Sequence, residues 1–403
     1  APSVPLGAAA FAVESGKMPE LFLEGVLPAA VEILDQSGNL HPEYRAERAV
    51  GMKKLLNVLY VSTQGAYLSL EGETVLISVK SEKKGQLPLL NLQGIICFGN
   101  VLCSPFLLGA CAERGIAVSF LSANGRFLAR IQGGVCGNVL LRRAQMLSME
   151  NPEKRTYLAQ MFLMAKILNS RTILQRFLRD HRDKLSAAEQ TDFQNAVSVM
   201  KQHTEKLMIG RKNGCIREND ELLGMEGAVA NLYFGCFPAF IVKQKAAFPF
   251  TGRTRRPPLD RVNAMLSFAY TLLAHDCAAA LESVGLDPAV GFFHALRPGR
   301  ASFALDLMEE FRACLADRLV LSLINRNQVS AADFKVTETG AVRMNEKSRK
   351  TLIGEWQERK QDEIMHPYLN EKVKLGMLPY VQSLLLARFL RGDMAEYPPY
   401  FYR

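Results

Sequence analysis

The spacing of apolar residues changes once along this 403-residue chain, and that change limits the fold more than any single motif. From Lys53 to about Gln132 the apolar residues come in short β-branched or aromatic runs: NVLYVST, AYLSLEGETVLISVK, GIICFGN and IAVSFLSANGRFLARIQ. Turn signals such as Glu71–Glu73 and Ser122–Gly125 punctuate them, which predicts strands. SPFLLGACAERG, Ser104–Gly115, breaks the pattern and predicts one helix, with Ser104 as N-cap, Pro105 at its first position and Gly115 as its stop. After GGVCGN, Gly133–Asn138, the period lengthens. Apolar residues then recur at three and four, as in YLAQMFLMAKILNSRTILQRFLRD from Tyr157, and the helical pattern runs to Leu390. The reading is an α+β chain: a small N-terminal mostly-β domain over residues 52–136, then a larger all-α domain over 137–403. The tail YPPYFYR reads as an end cap or a frayed end.

Residues 1–51 stand apart. They hold three Lys/Arg and seven Asp/Glu, a net −4, and Met52 opens MKKLLNVLYVST like a natural start. The segment is either upstream of that start or a short extension, and it is kept out of the fold argument. Because the whole chain carries +9, the rest carries +13. A body that basic favours a polyanionic partner, nucleic acid first, over small neutral substrates. The eight cysteines form no CxxC pair and lie mostly among apolar residues, so they read as small hydrophobes in a reducing compartment. No apolar run reaches the roughly 18 residues of a membrane span, and no basic region precedes the first apolar stretch as in a signal peptide. The expected location is the cytoplasm.

Three stretches carry side chains that could do chemistry. In NDELLGMEGAVANLYFGCF, Asn219–Phe237, a helix capped by Asn219 or Asp220 places Glu226 on the face of Val229 and Tyr233. A carboxylate facing a core must be paired, as with an arginine, or protonated, or bound to a cation. In FTGRTRRPPLDRVNAMLSFAYTLL, Phe250–Leu273, Arg253, Arg255 and Arg256 precede two prolines and suit phosphate contacts, or form a solvated basic loop. Asp260 then caps a helix. In GFFHALRPGRASFALDLMEEFR, Gly291–Arg312, Asp306 and Glu309 are three apart and share a face beside the stripe of Leu305, Met308 and Phe311. Glu310 falls further round, toward solvent. The turn Arg297–Arg300 lets His294 fold back toward the carboxylates, as a core histidine or as a ligand.

LLGMEGAVANLYF, RTRRPPLDRVNAMLSFAYTLL, GFFHALRPGRASFALDLMEEFR and DRLVLSLINR, in this order, resemble the CRISPR-associated spacer-acquisition integrases, the first universal Cas family. MKKLLNVLYVSTQGAYLSLEGETVLI resembles the start of the branch from I-C-type systems. The resemblance runs from Met52 to about Arg391. It implies an N-terminal β domain that pairs two protomers into a homodimer, and a helical catalytic domain. It implies one divalent metal, Mg²⁺ or Mn²⁺, held by Glu226, His294 and Glu309, with Asp306 at a second acidic position of the site. Two carboxylates and an imidazole with no cysteine beside them suit those ions rather than structural zinc. Ala313 stands where the family usually has proline. The implied reaction is attack by a spacer 3′-hydroxyl on a phosphodiester at the CRISPR repeat boundary in double-stranded DNA, with endonuclease activity from the same site. The implied partners are a small second Cas subunit and an iron–sulfur Cas exonuclease. A non-catalytic DNA-binding scaffold on the same fold is the alternative.

Overall fold

The computed structural model describes residues 58–92, 94–122, 127–131, 139–212 and 219–402. Residues 1–51, Met52 and the expected linker Gly133–Asn138 lie outside the described residues. The described residues form two compact units, the first from those up to Arg143 with Ala279–Leu286 and Arg359–Met394, the second from those between Ala144 and Ala278, Asp287–Glu358 and the described residues after Met394.

In the first unit, β1 (Val58–Val61), β5 (Gly94–Phe98) and β7 (Ala117–Leu121) run parallel, with β8 (Phe127–Ile131) antiparallel to β7. A second sheet takes the order β4-β3-β2-β6, from β2 (Ala66–Glu71), β3 (Thr74–Val79), β4 (Glu82–Pro88) and β6 (Val101–Cys103). Helix α1 (Pro105–Glu113) forms as expected: Ser104 Oγ accepts Leu107 N–H at 3.2 Å, and Gly115 takes φ +67°. Leu68 and Val75 from one sheet, Ile95 and Val118 from the other, and Leu107 and Cys111 of α1 share one core. The sequence reading did not single out β4. It is an edge strand exposed along nearly its whole length, so its polar sequence EKKGQLP shows no alternation, and its lysines and Pro88 disfavour further pairing.

Later parts of the chain add β11 (Glu363–Met365) paired with β12 (Lys372–Lys374), and helix α10 (Leu378–Arg391). His366 is buried in the first unit. Its Nδ1 accepts Leu369 N–H at 3.2 Å, and Nε2 lies 3.1 Å from Gln382 Oε1, so Nε2 carries the proton. Burial pushes its pKa down to about 4, against the raising effect of the Gln382 bond. Between about 6.5 and 4 the unfolded chain therefore binds a proton that the folded chain refuses. This contribution to stability is complete above about pH 6.5 and is lost as pH falls. From about pH 7 to about pH 5 the loss is roughly 2 kcal/mol. Chemical denaturation at the two pH values should show it for the parent, and His366→Gln should show a smaller drop. Equal drops would clear His366 of the effect.

The second unit holds α3 (Pro152–His181), α4 (Ala187–Lys212), α5 (Asn219–Phe240), α7 (Ser302–Met308) and α8 (Arg318–Asn325). Helices α2 (Val139–Glu150), α6 (Arg261–Ser283) and α9 (Glu346–Arg359) contribute most of their length to it. Asp260 caps α6 by accepting Asn263 N–H at 2.7 Å. Helix α6 is apolar and long enough to cross a membrane by length and composition, but 61% of that window is buried inside the fold. Helix α3 packs against α4, α5 and a π-helical turn at Arg312–Asp317 between α7 and α8. The all-α expectation needs correction. β9 (Phe334–Val336) and β10 (Val342–Met344) make an antiparallel ribbon around Gly340 at φ +77°, and β11–β12 is a second ribbon. Both are three-residue pairings, too short to leave a period-2 signal.

Candidate metal centre

All four side chains singled out for a metal site lie in the second unit. Asp306 organises the approach to it. Its Oδ2 accepts the backbone N–H groups of Phe292 (2.6 Å) and Phe293 (3.0 Å), and its Oδ1 accepts that of His294 (2.9 Å). Oδ1 also lies 2.7 Å from His294 Nδ1. An ionised carboxylate only accepts, so Nδ1 carries a proton, and the four bonds engage both oxygens. Asp306 thus turns the chain at residues 292–294 and aims the imidazole's Nε2 at Glu309, whose Oε1 is 3.9 Å away. Gly291 is required beside it. A Cβ there would meet Asp306 Oδ2 and the Ser302 backbone at 2.7 Å.

Glu309 is 1% exposed in its side chain and lies between two cations. Arg312 Nη2 is 3.0 Å from its Oε1, and Lys166 Nζ is 2.9 Å from its Oε2. Oε2 accepts no well-directed hydrogen bond, so the lysine contact is mainly one of charge. Burial would raise this carboxyl, but Arg312, Lys166 and His294 together hold it down at about 2. Lys166, on α3, also pairs with Glu226 Oε1 on α5. Glu226 therefore faces inward as its helical position implies, and its partner is a lysine rather than an arginine. Helix α5 is tied to the histidine segment where Asn219 Nδ2 donates to Phe293 O at 3.2 Å. Among the described residues no three His, Cys, Asp or Glu side chains are already spaced to close on one metal ion. The ammonium of Lys166 stands between the two glutamates instead.

Arg312 is held from behind. Its guanidinium lies over the Tyr270 ring at 5.1 Å, Arg253 lies over the same ring at 5.2 Å, and Tyr270 Oη donates to Asp317 at 2.6 Å. Arg253 also donates to Asn263 Oδ1 (2.6 Å) and Ser267 Oγ (3.1 Å). Its guanidinium is thus engaged inside the fold, while Arg255 and Arg256 are exposed. The π-helical turn starts at Arg312 and places Asp317 on Tyr270; wide turns of this kind are frequent at functional sites.

Glu310 does not point toward solvent. It is fully buried, and its Oε1 accepts Tyr397 Oη (2.5 Å) while its Oε2 accepts Tyr400 N–H (2.7 Å). Asn169, one turn after Lys166, donates to Glu310 O (2.7 Å) and Tyr400 O (2.9 Å) and accepts Tyr402 N–H (2.7 Å). The tail is thus a docked strap that braces α3, which carries Lys166, and the segment just after α7 that carries Glu309 and Glu310. Sequence reading missed Lys166, Asn169 and Arg312. A lysine and an asparagine inside the apolar run MFLMAKILN, three apart, were the available signal.

A family model described as CRISPR associated protein Cas1 matches residues 59–358. The CRISPR-associated endonuclease Cas1 1 of Chlorobaculum tepidum is 51% identical over 358 residues, covering 87% of this chain and all of that protein. CRISPR-associated endonuclease Cas1 2 of Rhodospirillum rubrum is 49% identical, with 87% and 100% covered. A Geobacter sulfurreducens protein named as a fusion of exonuclease Cas4 and endonuclease Cas1 is 33% identical, over 86% of this chain and 60% of its own length. Among solved structures, a casposase bound to integration product has a TM-score of 0.71 at 24% identity, covering 86% of this chain and 94% of that one. A Cas6-RT-Cas1–Cas2 complex has the same TM-score at 22% identity, with 86% and 36% covered; at these identities the likeness is one of fold. By the family match and by its identity to full-length relatives, this chain belongs to the Cas1 family of CRISPR-associated endonucleases.

Proposed function

We propose that the chain is a metal-dependent DNA endonuclease and integrase of CRISPR adaptation, joining a spacer 3′-hydroxyl to the repeat array. The observation that carries this is that Glu226 and Glu309 share the ammonium of Lys166 while His294 Nε2 lies 3.9 Å from the other oxygen of Glu309, in a site whose second acid, Asp306, is fully engaged in positioning. The donor set fits a small divalent ion. Two carboxylates share a place that already holds a positive charge, an imidazole nitrogen lies 3.9 Å from one of them, and Glu309 Oε2 is buried without a directed donor. Glu226, His294 and Glu309 would hold Mg²⁺ or Mn²⁺, which when bound would act as a Lewis acid on the phosphodiester. Asp306 keeps the Nδ1 proton of His294 so that Nε2 faces the site. Arg312 orients Glu309 and adds a positive charge beside it, and Tyr270 and Asp317 hold Arg312 in place. A scaffold with a decayed site would have lost a ligand, and all three are present.

The double-stranded DNA path would run past the exposed Arg255 and Arg256 of the +13 body. Affinity for duplex DNA should fall steeply as salt rises. Arg255→Ala with Arg256→Ala should lower the slope of log affinity against log salt by about 2. A flat plot for the parent, or an unchanged slope in the variant, would count against the assignment. The finer reading keeps the I-C-type branch, a homodimer formed through the β domain, a small second Cas subunit and an iron–sulfur Cas exonuclease as partners, and the cytoplasm as the place of action. The Cas1–Cas2 assembly and the Cas4–Cas1 fusion among the similar proteins support the two partner subunits. The deciding experiment is strand transfer on a plasmid carrying a repeat array, with labelled spacer DNA and either ion, with and without the second Cas subunit. Covalently joined label is the expected product. Its absence with every component present would overturn the integrase reading.

A further inference from the structure

We propose that Lys166 is a built-in occupant of the metal position, holding Glu226 and Glu309 together in the metal-free protein and yielding that place to a divalent cation. The proposal rests on the metal-site reading above and goes beyond it, because it assigns a role to a residue outside the donor set.

The geometry is specific. Lys166 reaches from α3 to both acids at once, pairing with Glu226 Oε1 and lying 2.9 Å from Glu309 Oε2, with its own side chain only 10% exposed. Two carboxylates brought together repel, and a cation between them offsets that repulsion. The ammonium supplies that charge, which explains how the site is assembled without an ion. Lys166 joins the two side chains that would have to converge on a metal. It also leaves Glu309 held from its other oxygen, Oε1, by Arg312. Withdrawal of the lysine would therefore free Glu226 and Glu309 Oε2 while Glu309 kept its orientation. An ammonium on a four-carbon stem is suited to this because it is a compact point charge that can move, whereas the stacked guanidinium of Arg312 is fixed. A divalent ion, with twice the charge, competes for the same pair of carboxylates. Displacing the lysine costs free energy, so the parent should bind metal less tightly than a chain without it.

The test is Mn²⁺ binding to the full chain after chelator treatment, followed by the spin-resonance signal of free Mn²⁺, together with melting temperatures in chelator and in Mn²⁺. Lys166→Met keeps the apolar stem and removes the charge. It should melt lower than the parent in chelator, gain more from Mn²⁺, and bind Mn²⁺ on the order of tenfold more tightly, the scale on which neighbours of a site tune metal affinity. Lys166→Arg keeps the charge and should bind no tighter than the parent. Equal or weaker binding by Lys166→Met overturns the proposal while leaving the metal site standing. No binding by any of the proteins, the parent included, overturns the metal-site reading and this proposal with it. Should Lys166→Met fail to fold, the parent alone decides. Acetylation of Lys166 by acetic anhydride, read on its peptide by mass spectrometry, should be several-fold faster in Mn²⁺ than in chelator, and an equal rate overturns the proposal.

Discussion

Glu309→Ala is expected to abolish Mn²⁺-dependent DNA cleavage, and Glu226→Ala and His294→Ala to do the same. A bound metal would contribute several kcal/mol of transition-state stabilisation, so the loss should be on the order of 10³-fold or more in rate. Glu309 should show it most cleanly. Its carboxyl, held at about 2, stays ionised across the working pH range, so it contributes a full charge that no neutral side chain replaces. Glu309→Gln keeps the shape and loses that charge, and raising Mn²⁺ should not restore it. The measurement is initial cleavage rate against Mn²⁺ concentration, with the melting temperature of each variant checked alongside. Parent-like activity in any one of the three alanine variants, purified and folded, would remove that residue from the ligand set.

Asp306→Asn should instead weaken both the fold and the reaction. Its two oxygens accept three backbone N–H groups and one imidazole N–H. An amide nitrogen in place of one oxygen would face donors with another donor and leave buried N–H groups unpaired. The cost should be roughly 3–5 kcal/mol of stability, the scale of breaking a buried charged network. Cleavage should fall about 10–100-fold, because His294 loses its orientation rather than the metal losing a ligand, and high Mn²⁺ should recover part of it. Denaturant titration and the same Mn²⁺ series measure the two effects. Parent-like stability would contradict the role given to Asp306. If Asp306→Asn is inactive at every Mn²⁺ concentration while Glu309→Gln is rescued, the two carboxylates have been assigned the wrong way round.

The readable parts of the chain are those governed by neighbours within a few residues. The Ser104 cap, Pro105 and Gly115 set α1 through bonds no longer than one helical turn, and Asp260 starts α6 in the same way. The hairpin of β2 and β3 follows from alternation and from Gly72 at φ +58°. The inward aim of Glu226 follows from its position on the apolar face of α5, which a helix of fixed period dictates. Equally, β4 escaped notice because an exposed edge strand needs no apolar face, and the short ribbons escaped because three residues do not make a period.

Partners were the part that sequence alone left open. A helical wheel gives the direction of a side chain about its own axis and says nothing about which distant segment arrives there. Glu310 lies where solvent was expected, yet Tyr397 and Tyr400, 87 and 90 residues further on, cover it and supply its donors. Arg253 sits in a basic run that suits phosphate, yet Asn263, Ser267 and Tyr270 engage it internally. Glu226 had to find a cation, and the fold supplies Lys166 from 60 residues upstream. The sequence by itself determined the order of a strand-rich region and a helical one, the capped helix starts, and the residue types that a metal site would need. Tertiary structure decided what each acid touches, because only packing brings the backbone of residues 292–294 onto Asp306 and the ammonium of Lys166 between Glu226 and Glu309.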